Sequence, residues 1–135
     1  MVNATVLIVD DEAPFVETLA KRLIILREFK VFSAHSGPEA LDVLENEKNI
    51  DVVILDLKMP GMDGIDVLLS IKAERPEIEV MLLTAYAGLD IALKAMKSGA
   101  FDCLTKPCGV EAVCARVVEA REKKWKREEI SMGGL

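Results

Sequence analysis

The chain has 135 residues, room for one globular domain and tight for two, since single cores serve roughly 100–200 residues. With 51% of its residues apolar and 30% charged, it has the balance of a chain that folds around a core, not of a disordered one. Its formal charge of −6 argues against a nucleic-acid-gripping surface; with no apolar run near the about 18 residues of a membrane span and no secretory signal, a cytoplasmic, membrane-free protein is expected.

The first element is Val6-Leu7-Ile8-Val9, an apolar run stopped by Asp10-Asp11-Glu12, the pattern of a parallel strand buried on both faces. Pro14 suits a first helical turn, after which Phe15, Leu19 and Leu23 share a face. Lys30 to Ala34 is a weaker strand, and Gly37-Pro38 opens a second helix carrying Leu41 and Leu44. Val52-Val53-Ile54-Leu55 repeats the first pattern and is stopped by Asp56; Asp63 caps a third helix that Pro76 keeps from continuing. Val80-Met81-Leu82-Leu83 ends at Thr84, and a fourth helix from about Leu89 to Lys97 ends at Gly99, a left-handed terminator. Asp102 to Thr105 is the last strand, closed by Lys106-Pro107. The fifth helix carries the stripe Val110, Val113, Val117 and Val118.

Strands alternating with helices in this way specify an α/β fold with an open, doubly wound, five-stranded parallel sheet flanked by five helices. The domain is expected to span 1–128, with 129–135 a flexible tail or the start of a linker and Ser131 to Leu135 frayed. Trp125 follows Val118 by one heptad and extends the stripe, so the last helix can run on toward a partner or output module. The run Lys123, Lys124, Lys126 and Arg127, interleaved with Glu122, Glu128 and Glu129, reads as a solvated helix face. The odd number of cysteines, Cys103, Cys108 and Cys114, without metal-ligand spacing, reads as reduced, mostly buried thiols.

In open α/β sheets ligands bind beyond the carboxyl ends of the strands, where neighbouring strands send their connections to opposite faces. Those ends carry Asp10 and Asp11, Asp56, Thr84 and Lys106. In the flavodoxin-like order 2-1-3-4-5 the first and third strands are adjacent, and their three carboxylates meet in one crevice. Ionised carboxylates that close repel strongly, so a cation is implied, and a sparse oxygen set with waters suits Mg²⁺ better than Ca²⁺. A metal holding one carboxylate beside an incoming phosphoryl group is an arrangement for phosphoryl transfer. Lys106 can pair with one phosphoryl oxygen and Thr84 can donate to another, so a charge of about −1.5 to −2 would draw both inward. An acidic pair, a threonine or a Lys-Pro at one strand end says little by itself; their conjunction at successive strand ends carries the inference. His35 reads as a surface loop residue without a chemical role.

These residues are similar, over essentially the whole chain, to the receiver (CheY-like) family of response regulators in two-component signalling. The likeness rests on Val6 to Glu12, on Asp51-Val52-Val53-Ile54-Leu55-Asp56-Leu57-Lys58-Met59-Pro60-Gly61-Met62-Asp63-Gly64, on Leu83-Thr84-Ala85, and on Gly99-Ala100 through Lys106-Pro107. The resemblance implies that Asp56 is the phosphoacceptor in a phosphorelay, with Lys106 and Thr84 as its catalytic partners. It implies Asp11, Asp56 and the Lys58 backbone carbonyl as Mg²⁺ ligands, with Asp10 acting through a metal-bound water. It implies a sensor histidine kinase as donor, catalysis of nothing beyond the domain's own phosphorylation and dephosphorylation, and a switching face made of the fourth helix, fifth strand and fifth helix. That face could serve a homodimer or a downstream effector. Ala85 leaves the phosphoryl site accessible, and Lys58 and Tyr86 hold positions that tune aspartyl-phosphate hydrolysis in this family. Two departures stand out: Cys103 replaces the family's usual switching aromatic, and Cys108 a common phenylalanine.

A Mg²⁺-dependent phosphohydrolase with an aspartyl nucleophile would need an acid two residues after that aspartate on the first strand, where this chain has Lys58 on the third. A nucleotide-binding module is weaker still, as neither a P-loop nor G-x-G-x-x-G occurs. Within the receiver reading, a stand-alone regulator and the receiver half of a larger transcription factor both remain. The stretch Leu83 through Pro107 is similar to receivers attached to ATPase-type transcriptional activators.

Overall fold

Each apolar run becomes a strand and each periodic stretch a helix. In the computed structural model, which describes residues 3–59, 62–85 and 88–133, the order is β1 (Thr5–Val9), α1 (Ala13–Arg27), β2 (Lys30–Ala34), α2 (Gly37–Asn46), β3 (Val52–Leu55), β4 (Lys58–Met59), β5 (Met62–Asp63), α3 (Gly64–Glu74), β6 (Glu79–Thr84), α4 (Leu89–Lys97), β7 (Asp102–Thr105) and α5 (Val110–Gly133). The main sheet runs β2-β1-β3-β6-β7 with every pairing parallel, which is the expected order 2-1-3-4-5 once the short ribbon β4-β5 is set aside. That antiparallel ribbon, with Lys58 opposite Asp63, is an addition the sequence reading did not contain, because two-residue strands carry no periodicity.

Alternation along the strands divides the core in two. Leu7, Val9, Val53, Leu55, Val80 and Leu82 face α2, α3 and Ala95 of α4. Val6, Ile8, Val52, Ile54, Met81 and Leu83 face α1 and α5, meeting Leu19, Leu23, Val113 and Val117. A sheet covered on both faces buries every residue of β3 and β6, which is why these strands read as unbroken apolar runs. The ends are set locally. Asp63 accepts from the Ile65 N–H at 3.0 Å to cap α3, Ser36 accepts from the Glu39 N–H at 3.2 Å to cap α2, and Gly99 takes φ of 103° after α4. Gly64 is required by a close approach: a Cβ there would lie 2.4 Å from the Leu57 Cα.

Two expectations are corrected. The helix runs to Gly133, through the Ser131–Gly133 stretch expected to fray; Gly134 and Leu135 lie outside the described residues. The basic run on α5 is not simply a solvated face. Lys124 is buried and pairs with Asp51 at 3.1 Å, while Lys123 and Arg127 each approach the buried Glu79 at 3.4 Å. These cations dock the distal half of α5 under the amino ends of β3 and β6. Arg121 joins them, donating to the Asn3 carbonyl at 3.1 Å and lying over the Trp125 ring at 4.1 Å.

The three thiols are free, and burial pushes those of Cys103 and Cys114 upward, away from the thiolate that redox chemistry needs. No helix among the described residues is long and apolar enough to cross a membrane.

Candidate phosphoryl-transfer site

Backbone hydrogen bonds fix the acidic centre before any side chain acts. The Asp56 N–H donates to the Val9 carbonyl at 2.9 Å and the Lys106 N–H to the Thr84 carbonyl at 2.9 Å, so adjacent strands end in register. Asp10 then turns the chain out of β1, its Oδ1 accepting from the Glu12 N–H at 2.9 Å, a hydrogen bond two residues ahead that aspartate forms readily. Asp56 does the same more loosely, accepting from the Lys58 N–H at 3.4 Å. The result places one carboxylate oxygen each of Asp10, Asp11 and Asp56 within 4.8 Å of one another. Asp10 and Asp56 are buried and Asp11 is exposed.

Lys106 is the cation of this centre. Its ammonium lies 2.6 Å from Asp10 Oδ2, 3.4 Å from Glu12 Oε1 and 3.8 Å from Asp56 Oδ2. Burial alone would depress its pKa, but the hydrogen bond and charge of Asp10, with Asp56 and Glu12 beyond, raise it above the ordinary lysine value. Thr84 hydrogen-bonds the Asp56 carboxylate. For Asp56, burial comes first and raises the pKa; the charge of Asp10 adds to that, and Thr84, Lys106 and the Lys58 N–H offset only part of it. One lysine facing three carboxylates leaves an excess of negative charge on a set of hard oxygen donors, which fits a small divalent cation.

The raised Asp56 pKa makes a prediction for the metal-free protein. A carboxyl whose folded pKa exceeds its unfolded value destabilises the fold once ionised, fully above the folded pKa and not at all below the unfolded one. In chelator at neutral pH, Asp56→Asn should therefore melt a few degrees above wild type. That advantage should shrink as pH falls through the raised Asp56 pKa toward 3.8. A neutral-pH melting point below that of wild type would contradict the assignment of strain to this carboxylate.

The sequence-predicted residues Asp10, Asp11, Asp56, Lys58, Thr84 and Lys106 all gather at this end of the sheet. Ala85 follows Thr84 there, and Tyr86 lies outside the described residues. His35 is exposed as expected, with Nδ1 3.1 Å from the Asp10 carbonyl oxygen. Sequence reasoning missed Phe15, whose ring centroid lies 4.1 Å from the Lys106 ammonium, and Glu12 as a partner of the same ammonium. The signal for Phe15 was its place in the first turn of α1, just after the acidic Asp10–Glu12 stretch, hidden because the same residue also continues the Leu19 and Leu23 face.

A five-stranded parallel sheet carrying an acidic triad, a threonine and a lysine at its strand ends defines a phosphoacceptor-type α/β domain. The sequence pattern of the response regulator receiver domain matches residues 6–118, and the chain belongs to that family. Sporulation initiation phosphotransferase F of Bacillus subtilis (strain 168) is 34% identical over 113 residues, covering 84% of this chain and 90% of that protein. Transcriptional regulatory protein ZraR of Klebsiella oxytoca is 37% identical over 115 residues, which is 85% of this chain but only 26% of that protein. This chain thus spans about a quarter of such a regulator. A response regulator receiver domain structure from Clostridium thermocellum superposes with a TM-score of 0.83 at 36% identity, covering 90% of this chain and 96% of that one. The protein is accordingly a signalling domain of two-component systems, in a family that works with histidine kinases and effector domains and binds Mg²⁺ at an acidic pocket.

Proposed function

We propose that the domain receives a phosphoryl group on Asp56 from a phosphohistidine of a sensor histidine kinase, in the cytoplasm and in a Mg²⁺-dependent reaction. The observation that carries this reading is the convergence of the Asp10, Asp11 and Asp56 oxygens within 4.8 Å beside Lys106 and Thr84. Asp11, Asp56 and the Lys58 backbone carbonyl would hold the metal directly and Asp10 through a water; when bound, it supplies positive charge to neutralise the phosphoryl oxygens.

An Asp56 carboxylate oxygen forms the new bond to phosphorus as the phosphorus–nitrogen bond of the donor breaks, and the electron pair leaves with the imidazole, which takes up a proton. Lys106 exchanges its Asp10 partner for a phosphoryl oxygen, and Thr84 turns its hydroxyl from the carboxylate to another. Attack of water on phosphorus reverses the modification, so the domain catalyses only its own phosphorylation and dephosphorylation. Because Thr84 and Lys106 end neighbouring strands, their inward movement is transmitted to the α4-β7-α5 face. There α4 exposes Leu89, Leu93 and Met96, an apolar surface suited to an effector or a second copy of the domain. The small share of the ZraR protein that this chain covers supports the receiver half of a larger transcriptional regulator, with the residues beyond 128 beginning a linker.

The test is intact-mass spectrometry after incubation with acetyl phosphate. One hydroxylamine-labile phosphoryl adduct is expected in Mg²⁺ and none in chelator, as for a metal-dependent acyl phosphate. A folded protein without any adduct in Mg²⁺ would overturn the phosphoacceptor reading.

A further inference from the structure

We infer that Phe15 is a positioning residue for the phosphoryl-transfer site, its ring holding the Lys106 ammonium at the mouth of the acidic centre; this rests on the phosphoacceptor reading above. The ammonium stands 4.1 Å from the Phe15 centroid, well inside the range of a cation–π contact, and the lysine side chain is only 13% exposed. Desolvation of that degree strengthens attraction between a cation and the negative face of a ring.

Apart from Asp10, the ammonium has longer carboxylate contacts, Glu12 Oε1 at 3.4 Å and Asp56 Oδ2 at 3.8 Å. A half-open pocket of about 130 Å³ lies beside it, lined among others by Phe15, Leu19, Leu83, Cys108, Val110 and Val113. Asp10 at 2.6 Å grips the ammonium, but in the proposed reaction this is the contact the lysine gives up. A ring attracts the cation without neutralising it. Phe15 therefore keeps the charge at the site while its carboxylate partner is exchanged for a phosphoryl oxygen. The ring, in the first turn of α1, is partly buried and packs against the α1/α5 core.

Phe15→Leu keeps the apolar bulk and removes the ring face; Phe15→Trp restores a ring. Binding of beryllofluoride in Mg²⁺, which mimics the phosphoryl group, should weaken about five-fold in Phe15→Leu, the scale of a partly desolvated cation–π contact. It should recover in Phe15→Trp, while Mg²⁺ affinity alone stays unchanged in both variants. The Lys106 ε-methylene protons, followed by NMR, should lose their ring-current shift in Phe15→Leu and regain one in Phe15→Trp. Wild-type beryllofluoride affinity in Phe15→Leu, or a loss that Phe15→Trp does not restore, would overturn the inference. If wild type itself binds no beryllofluoride, the phosphoacceptor reading fails. The Phe15 contact is then decided by the methylene shifts, which overturn it if wild type and Phe15→Leu agree.

Discussion

Asp56→Asn is expected to take up no phosphoryl group from acetyl phosphate in Mg²⁺, with the fold retained. Four acidic side chains crowd this end of the sheet, and the geometry separates their roles. Asp11 and Glu12 are exposed. Asp10 is spent twice, one oxygen on the Glu12 N–H and the other on Lys106 at 2.6 Å. Asp56 is buried with the Lys106 ammonium 3.8 Å away, its carboxylate hydrogen-bonded by Thr84 and, at 3.4 Å, by the Lys58 N–H. It is the oxygen that can be released to attack. An asparagine keeps the shape but has no anionic oxygen to form the acyl phosphate, so the loss should be complete. Lys106→Met should instead slow the reaction by about 10²–10³-fold, the usual effect of removing one preorganised electrostatic donor, because the nucleophile survives. Intact-mass time courses read both variants. An adduct on Asp56→Asn at the wild-type rate would move the acceptor elsewhere.

This chemistry was legible in the sequence because buried parallel strands are written as apolar runs, and the residues that stop those runs are the ones the sheet presents at its carboxyl edge. Asp10, Asp56 and Thr84 each stop such a run and Lys106 follows the more polar, half-buried edge strand Asp102–Thr105, so their meeting follows from strand order. Asp63 and Gly99 were equally legible, since each acts on backbone within two residues of itself. What the sequence hid is non-local. Phe15 reads as core until Lys106, distant in the chain, is placed over its ring. Asp51 and Glu79, acids beside the strands β3 and β6, are both buried, and the α5 cations that reach them, Lys124 to Asp51 and Lys123 and Arg127 to Glu79, come from the other end of the chain. For the same reason Lys124 looked like one of several solvated cations. Helical spacing reveals which residues share a face, but not that the face has been laid against buried carboxylates.

That docking carries the other large effect. Asp51 accepts from the Thr5 N–H at 2.9 Å, from Lys124 Nζ at 3.1 Å and from Trp125 Nε1 at 3.0 Å. Asp51→Ala strips all three donors of their acceptor at once. Lys124, 7% exposed, would then keep only the Glu128 carboxylate at 2.6 Å. Losing the nearly buried one of its two carboxylates leaves the Lys124 charge only partly compensated, and with the Thr5 and Trp125 donors unsatisfied as well the cost should be about 2–4 kcal/mol. Urea titration should show that loss as a lower midpoint, and trypsin should cut within Lys123–Arg127 as the distal helix undocks. Burial alone would lower the Lys124 pKa, but Glu128 and Asp51 together raise it above 10.5. A lysine raised in the folded state stabilises fully below its unfolded pKa and ceases to as pH climbs through the folded one. The gap between wild type and Asp51→Ala should therefore hold constant through neutral pH and narrow only above about 10.5. The double variant Asp51→Leu with Lys124→Met should recover much of the loss, since apolar residues of similar volume replace a buried pair at little cost. Recovery would identify the under-compensated lysine charge as the source of the damage. A double variant as unstable as Asp51→Ala would place the cost in the Thr5 and Trp125 hydrogen bonds instead.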